Sequence, residues 1–325
     1  MIPVAVDAPA WANSYPDDVD PCDDVSVPPG PDFEDEWATF VRMIASEWGA
    51  ERYGLVAIEA WNEPNLRPFW GVRATKPDGS QITPPPTFAP QPQRFASIVN
   101  AANLAIEDWN GVPANAIARG GLPAIEVLPG GMSPEGIEGS QEQADIFLDN
   151  ALDGTNNQPH LVFGPGSGTV DGLAVHLYAT FAETEKRASR RVRDDYNALV
   201  AVLNQNGYTD VPRWITELGF PTAPLGSRNV PRKAASPVRQ CRRLTDAYMR
   251  FANRSPRPRS FIIHRLFDPG PGGEENRFGV ARVDPVDQTP GDPEDPPQVL
   301  RKQAYREIRQ LVKPGGSHQD LRCQA

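Results

Sequence analysis

What most restricts how this chain can fold is a repeated alternation. Short apolar runs rich in β-formers are each followed by a longer stretch with apolar residues at helical spacing. Such a rhythm marks βα units wound around a parallel sheet. Six runs read as strands: Ile2 to Ala8, Leu55 to Trp61, Ala124 to Pro129, Gly172 to Leu177, Arg213 to Thr216 and Ser260 to Phe267. In the first helical stretch Phe33, Trp37, Phe40, Val41, Ile44 and Trp48 recur at threes and fours, so one face can lie on a sheet. Asp32 is placed to cap this helix, and Glu34, Asp35 and Glu36 fall in its first turn, where the helix dipole favours anions. Further helices are predicted over Pro92 to Asn110, Gln141 to Leu152, Ala188 to Asn206, Pro237 to Asn253 and Val299 to Val312. The one at Pro237 opens with Ser236 before a proline at the first helical position.

Two stretches interrupt the rhythm, Arg73 to Pro90 with its Pro84-Pro-Pro86, and the Pro/Gly/Asp-rich segment from Asp268 to Pro297. Each follows a strand end, where long loops shape a groove in a barrel; a surface insertion is the other reading. With 325 residues, 39% of them hydrophobic, the chain suits one sizeable core, and no linker divides it. A single domain over 1–325 is therefore expected. The net charge of −10 argues against nucleic acid or an anionic membrane as partner. No run approaches the ~18 apolar residues of a membrane span. The opening Met1-Ile-Pro-Val-Ala-Val-Asp7 has neither a basic lead nor a long apolar segment and reads as a strand, not a secretory signal. Cys22, Cys241 and Cys323 show no metal-like spacing, so no metal site is expected, and Cys22 suits a disulfide or a free thiol equally well. Localisation stays open: an upstream export signal would make the protein secreted, and without one it would be cytoplasmic.

Two glutamates stand at the ends of apolar runs: Glu63 in Leu55-Val-Ala-Ile-Glu-Ala-Trp-Asn-Glu-Pro-Asn65, and Glu217 in Val211-Pro-Arg-Trp-Ile-Thr-Glu-Leu-Gly-Phe220. Two carboxylates at one barrel mouth, one protonated and one ionised, are the machinery for cleaving a glycosidic bond. The Asn-Glu-Pro and Thr-Glu-Leu-Gly-Phe elements, in this order, resemble the acid/base and nucleophile motifs of the clan of retaining (β/α)8-barrel glycosidases. The resemblance is closest to its family 5 and family 39 branches, which are cellulase- or β-xylosidase-like. Asn276-Arg-Phe-Gly-Val280 and Ala304-Tyr305 resemble the family's approach to its last helix, which extends the likeness over nearly the whole chain. In that clan the acid/base ends the fourth strand and the nucleophile the seventh. Two strands intervene here between those ending in Glu63 and Glu217, so the spacing agrees, and Phe261-Ile-Ile-His-Arg-Leu-Phe-Asp268 falls on strand eight. Only one strand precedes Glu63, however, where the family has three. The expected fold is thus a TIM-type barrel lacking its first two βα units, with six strands and two unpaired edges. A mis-set start, a fragment and a natural degenerate barrel all fit, and a second subunit could cover the exposed edge.

The resemblance implies that Glu63 gives a proton to the leaving oxygen, in a setting that Trp61 and Pro64 help to dry. A surface glutamate in a turn is the alternative. Glu217 would be the nucleophile that forms a covalent glycosyl-enzyme, with the two carboxyls about 5 to 5.5 Å apart; a structural ion pair is the alternative. By the family pattern Asn62 hydrogen-bonds the sugar 2-hydroxyl. Val175-His-Leu-Tyr178 sets His176 and Tyr178 two apart on one strand face. They resemble the clan's supporting residues, with His176 orienting a carboxylate and Tyr178 donating to the nucleophile, although a satisfied core pair would read the same. Sugars pack on flat rings; Trp11 and Trp70 are candidate platforms, and ordinary packing accounts for each as readily. His264 stands where the family often has Trp or Tyr. The implied activity is hydrolysis of β-glycosides by double displacement, with a carbohydrate as partner and no metal or organic cofactor. The competing expectation is a non-catalytic, carbohydrate-binding remnant, because the missing units normally supply subsites and an arginine near the nucleophile.

Overall fold

The computed structural model describes residues 1–6, 8, 28–66, 69–70, 90–134, 136, 139–140, 142–179, 185–222, 236–264, 267–268, 281–283 and 299–301. Strands and helices alternate through most of it: β1 (Val4–Ala5), α1 (Glu34–Trp48), β2 (Ala57–Asn62), α2 (Pro92–Gly111), α3 (Pro113–Ala118), β3 (Glu126–Gly131), α4 (Ala144–Leu152), β4 (Leu173–Tyr178), α5 (Glu185–Gln205), β5 (Arg213–Gly219), α6 (Pro237–Ala252), β6 (Phe261–Ile263), then β7 (Phe267–Asp268), β8 (Ala281–Val283) and β9 (Val299–Arg301). The chain divides into two compact units, Met1–His176 with Ala198–Trp214, and Leu177–Asn197 with Ile215–Ala325. Strands β4 and β5 each begin in the first and end in the second.

In the first unit β1, β2 and β3 lie side by side and parallel, with Val4 opposite Glu59 and Glu59 opposite Leu128. Met132 bridges to Val175, and the Leu173 N–H donates to the Pro212 carbonyl at 2.8 Å, so the starts of β4 and β5 continue the parallel array. Small and large side chains alternate in its interior: Ala57, Leu128, Ala174 and Trp214 form a buried cluster, with Ile2 and Val56 packed against it. Fully covered strands of this kind read as continuous apolar runs, which is why they were conspicuous in the sequence. On the outside α1 packs on α2 and α2 on α4. The buried stripe of α1 is Trp37, Val41, Ile44 and Ala45, whereas Phe40 and Trp48 remain more than one-third exposed at its edges. An indole N–H from Trp37 to the Ile98 carbonyl, at 3.0 Å, pins the helix pair.

The second unit carries the ends of β4 and β5 side by side, through a bond of 3.3 Å from the Ala179 N–H to the Gly219 carbonyl, with β6 parallel to β5. Outside them α5 and α6 are joined by Ser189 Oγ donating to Asp246 at 2.5 Å and by Tyr196 stacked obliquely on Phe251. Ser236 caps α6 as expected, its hydroxyl accepting from the Arg239 N–H at 3.3 Å. Cys241, fully buried on α6, takes part in a disulfide. Among the described residues no helix is long and apolar enough to cross a membrane.

Several expectations need correction. Asp32 does not cap α1: Pro31–Phe33 form a 3-10 turn ahead of it, and Phe33 takes the cap position without a side-chain bond. Residues Val299–Arg301 are not the start of a helix but a strand antiparallel to β8, because pairing with Ala281–Val283 outweighs local helical preference. The run from Ser260 to Phe267 is also not one strand: it breaks after Ile263, and Phe267–Asp268 pairs with β8 in a separate sheet. Strand β5 runs past Thr216 to Gly219, so Glu217 lies within it. Helix α3 was not foreseen. Trp11, Cys22, Cys323, the Asn276 and Ala304 motifs and most of both long loops lie outside the described residues.

Candidate active site

The sequence around Glu63 forces the backbone out of β2. Pro64 has no N–H to continue a ladder, and both Trp61 (φ 98°) and Glu63 (φ 40°) hold positive φ, a region that side chains other than glycine's rarely enter. The turn is anchored where it leaves the sheet. Asn62 is paired with Gly131, and the Glu63 N–H donates to the Gly131 carbonyl at 3.1 Å. Asn65, fully buried, then staples it to the chain after β3. Its amide nitrogen donates to the carbonyls of Ser133 and Glu142 at 2.8 and 2.7 Å, and its oxygen accepts from the Ser133 N–H at 3.0 Å. From behind, the Trp61 indole donates to the Phe69 carbonyl at 2.6 Å and is wedged between Trp37 and Trp70.

The Glu63 carboxylate meets His176, on a strand whose six residues are all buried. His176 Nδ1 lies 3.0 Å from Glu63 Oε1, and Nε2 lies 3.5 Å from Oε1 of Glu59, itself almost wholly buried. That Glu59 oxygen also accepts a short hydrogen bond from the Gly131 N–H. The imidazole therefore sits between the carboxylates of Glu59, on β2, and Glu63, just past its end. Both ring nitrogens thus face carboxylate oxygens. Gly131 makes this approach possible: a Cβ there would lie 2.2 Å from the imidazole and 2.6 Å from Glu59.

In the second unit Glu217 is held from two sides. Tyr178 donates a short hydrogen bond to Oε2, and His264 sets Nδ1 3.0 Å from the same oxygen. The two rings meet edge to face, with centroids 5.3 Å apart. Register explains the aim of the carboxylate. Ile215 pairs with Phe261 and Leu218 with Ile263, so three steps of β5 face two of β6, and the extra residue bulges at Thr216 and Glu217. His264 is set by its own N–H, which donates to the Leu218 carbonyl at 2.9 Å. Gln240 of α6 fastens the strand exit through a bond of 2.9 Å to the Phe220 carbonyl. Glu217 and His264 keep about one-fifth of their side-chain surface exposed, whereas His176 has none.

Of the residues singled out from the sequence, the structure brings His176 to Glu63, and Tyr178 and His264 to Glu217. Asn62 stands half-buried beside Glu63. Trp70 is 3% exposed and edge-on to Trp61 and Phe95, so it belongs to the core and is not a sugar platform. His264 serves as a hydrogen-bonding partner of a carboxylate. Sequence reasoning missed Glu59 and Asn65. Glu59 did leave a signal, being a lone charge inside an otherwise apolar run, where an acid is buried only when it has partners. Asn65 left none, since an asparagine after Asn-Glu-Pro reads as ordinary turn chemistry.

No protein-family model matches the chain, and no curated protein matches it. Similar solved structures exist. A conserved exported protein from Bacteroides fragilis aligns with a TM-score of 0.57 at 14% identity, over 97% of this chain and 57% of that one. The GH39 enzyme from Xanthomonas axonopodis pv. citri aligns at 0.49 and 16% identity, over 96% of this chain and 50% of that one. A GH39 β-xylosidase from Caulobacter crescentus aligns at 0.46 and 16%, over 96% and 52%. The chain spans about half the length of these three structures. At such identities the likeness is one of α/β fold.

Proposed function

We propose that this chain is a glycoside hydrolase that cleaves β-linked glycosides with retention, Glu63 serving as acid and base and Glu217 as nucleophile. The observation that carries the reading is that each glutamate, one just past the end of β2 and one within the bulged part of β5, is in the grip of dedicated partners: His176, backed by Glu59, on Glu63, and Tyr178 with His264 on Glu217. In the first step Glu63 passes its proton to the glycosidic oxygen while Glu217 attacks the anomeric carbon. One C–O bond forms as the other breaks, leaving a glycosyl ester on Glu217 and a free alcohol. In the second step Glu63, now a carboxylate, takes a proton from water as that water displaces the ester.

The partners suit these roles. Tyr178 and His264 are donors to a carboxylate oxygen, a setting for a group that must carry negative charge before it attacks. With the Nε2 proton facing Glu59, the Nδ1 lone pair of His176 is available to accept from a protonated Glu63, which orients that proton. Asn62 is the candidate for the sugar 2-hydroxyl.

Turnover of aryl β-glycosides by the wild type and by Glu63→Ala and Glu217→Ala tests the proposal. Each substitution should lower kcat/KM by about 10²-fold or more, and a 2-deoxy-2-fluoro glycoside should leave its sugar on the peptide containing Glu217. Equal background rates in all three proteins, or label on another residue, would reject it in favour of a carbohydrate-binding protein without catalysis.

A further inference from the structure

Glu59 carries an acid into the apolar interior of the first unit, where it is 1% exposed. It stands two residues past Ala57 on β2, as His176 stands two past Ala174 on β4. By strand alternation both therefore project on the face that carries the buried cluster of Ala57, Leu128, Ala174 and Trp214, one layer nearer the strand ends. The backbone at Glu59 is fixed on both sides. Its N–H donates to the Pro3 carbonyl at 2.9 Å, and its register is set opposite Leu128.

Burying an acid is costly unless its oxygens are bonded. Oε1 of Glu59 accepts the short bond from the Gly131 N–H and lies 3.5 Å from Nε2 of His176. Gly131 is itself held by its pairing with Asn62, so the carboxylate is aimed from a fixed point of β3. His176 is equally constrained. Its N–H donates to the Met132 carbonyl at 3.1 Å, its ring is wholly buried, and its Nδ1 lies 3.0 Å from Glu63 Oε1. A neutral imidazole has one proton to place between these two partners. Against a protonated Glu63, Nδ1 must accept, which puts the ring proton on Nε2, toward Glu59. With no acceptor at position 59 that proton would be buried unpaired, and the tautomer carrying it on Nδ1 would compete. Two donors, Nδ1–H and the Glu63 O–H, would then face each other.

We propose that Glu59 is a positioning residue for the acid: its carboxylate keeps the His176 proton on Nε2, and so keeps Nδ1 as the acceptor that orients the proton of Glu63. Its consequence for turnover rests on the reading of Glu63 as the acid. The tautomer of His176, in contrast, is read without any substrate.

Proton–nitrogen correlation NMR of the full chain, labelled with 15N at histidine, tests the tautomer, with the His176 signals identified by their loss in His176→Gln. The wild type should show Nε2 protonated and Nδ1 bare. Glu59→Gln, whose amide oxygen can accept from both Gly131 and Nε2, should keep this tautomer, and Glu59→Leu should lose it. Turnover of an alkyl β-glycoside tests the consequence. Glu59→Leu should lower kcat by about tenfold or more with KM little changed, and Glu59→Gln should recover most of that loss. Added to His176→Ala, Glu59→Leu should cost nothing further, because the two act as one device. A wild-type His176 that carries a proton on Nδ1 overturns the proposal, whether or not any variant folds. So does an unchanged tautomer in Glu59→Leu, or a loss of turnover that adds fully to that of His176→Ala. A tautomer that responds as stated, in a wild type that turns over no glycoside, would reject Glu63 as the acid and leave the hold of Glu59 on His176 standing.

Discussion

His176 holds its Nδ1 3.0 Å from Oε1 of Glu63, a residue 113 positions earlier in the chain. The distance is that of a good hydrogen bond, and the imidazole is shut off from solvent. If this contact orients the acid, removing it should matter most when the leaving group needs a proton. His176→Ala is expected to lower kcat/KM by about 10- to 100-fold on an alkyl glycoside, and clearly less on a nitrophenyl glycoside, whose leaving group departs unassisted. Equal losses on both substrates would assign His176 to the stability of the core alone.

Tyr178 reaches Glu217 through its hydroxyl, and its ring lies against His264. Tyr178→Phe keeps the ring and deletes only the donor. Turnover should fall by about tenfold or more, while the melting temperature stays within a few degrees of the wild type because His264 still holds the same oxygen. A variant with full activity would show that this hydroxyl does nothing for the nucleophile.

Gly131 lies where β3 passes the imidazole. Gly131→Ala places a methyl 2.2 Å from the His176 ring and 2.6 Å from the Glu59 carboxylate. The ring or the strand must move. Urea denaturation should show a loss of roughly 1–3 kcal/mol, and activity should fall even in the fraction that remains folded. A fully active, equally stable variant would mean that the strand yields without disturbing the acid.

Trp70 distinguishes packing from recognition. Trp70→Ala should cost about 3–5 kcal/mol of stability by emptying the space between Trp61 and Phe95, with KM for the aryl glycoside little changed below the new unfolding midpoint. A selective rise in KM with stability intact would restore Trp70 to the sugar site.

Much of the fold was legible because covered parallel strands are apolar along their length: Ala57 to Trp61 and Leu173 to Leu177 could hardly be mistaken. Helix cores were equally plain from their period, while their ends were not, since Phe33 and not Asp32 occupies the α1 cap and a 3-10 turn precedes it. Short strands formed by distant pairing gave little sign, as Val299–Arg301 illustrates, because a helical pattern and a β partner compete and only the fold decides. At the candidate site, Glu63 and Glu217 stood out by position. Their partners were half-visible: His176 and Tyr178 through their spacing on one strand, Glu59 only as an oddity. The bulge that aims Glu217 is a matter of register between β5 and β6, and a one-dimensional pattern carries no register.

Trp61 and Glu63, at φ 98° and 40°, store roughly 1–3 kcal/mol each in the backbone beside the proposed acid. Selection for heat tolerance would find this bend an inviting place to relax, for instance by glycine at position 61. Yet the same change would delete the indole that wedges the bend in place. Thermal hardening and the proposed catalysis are thus set against each other within three consecutive residues, and a library screened for one alone should drift away from the other.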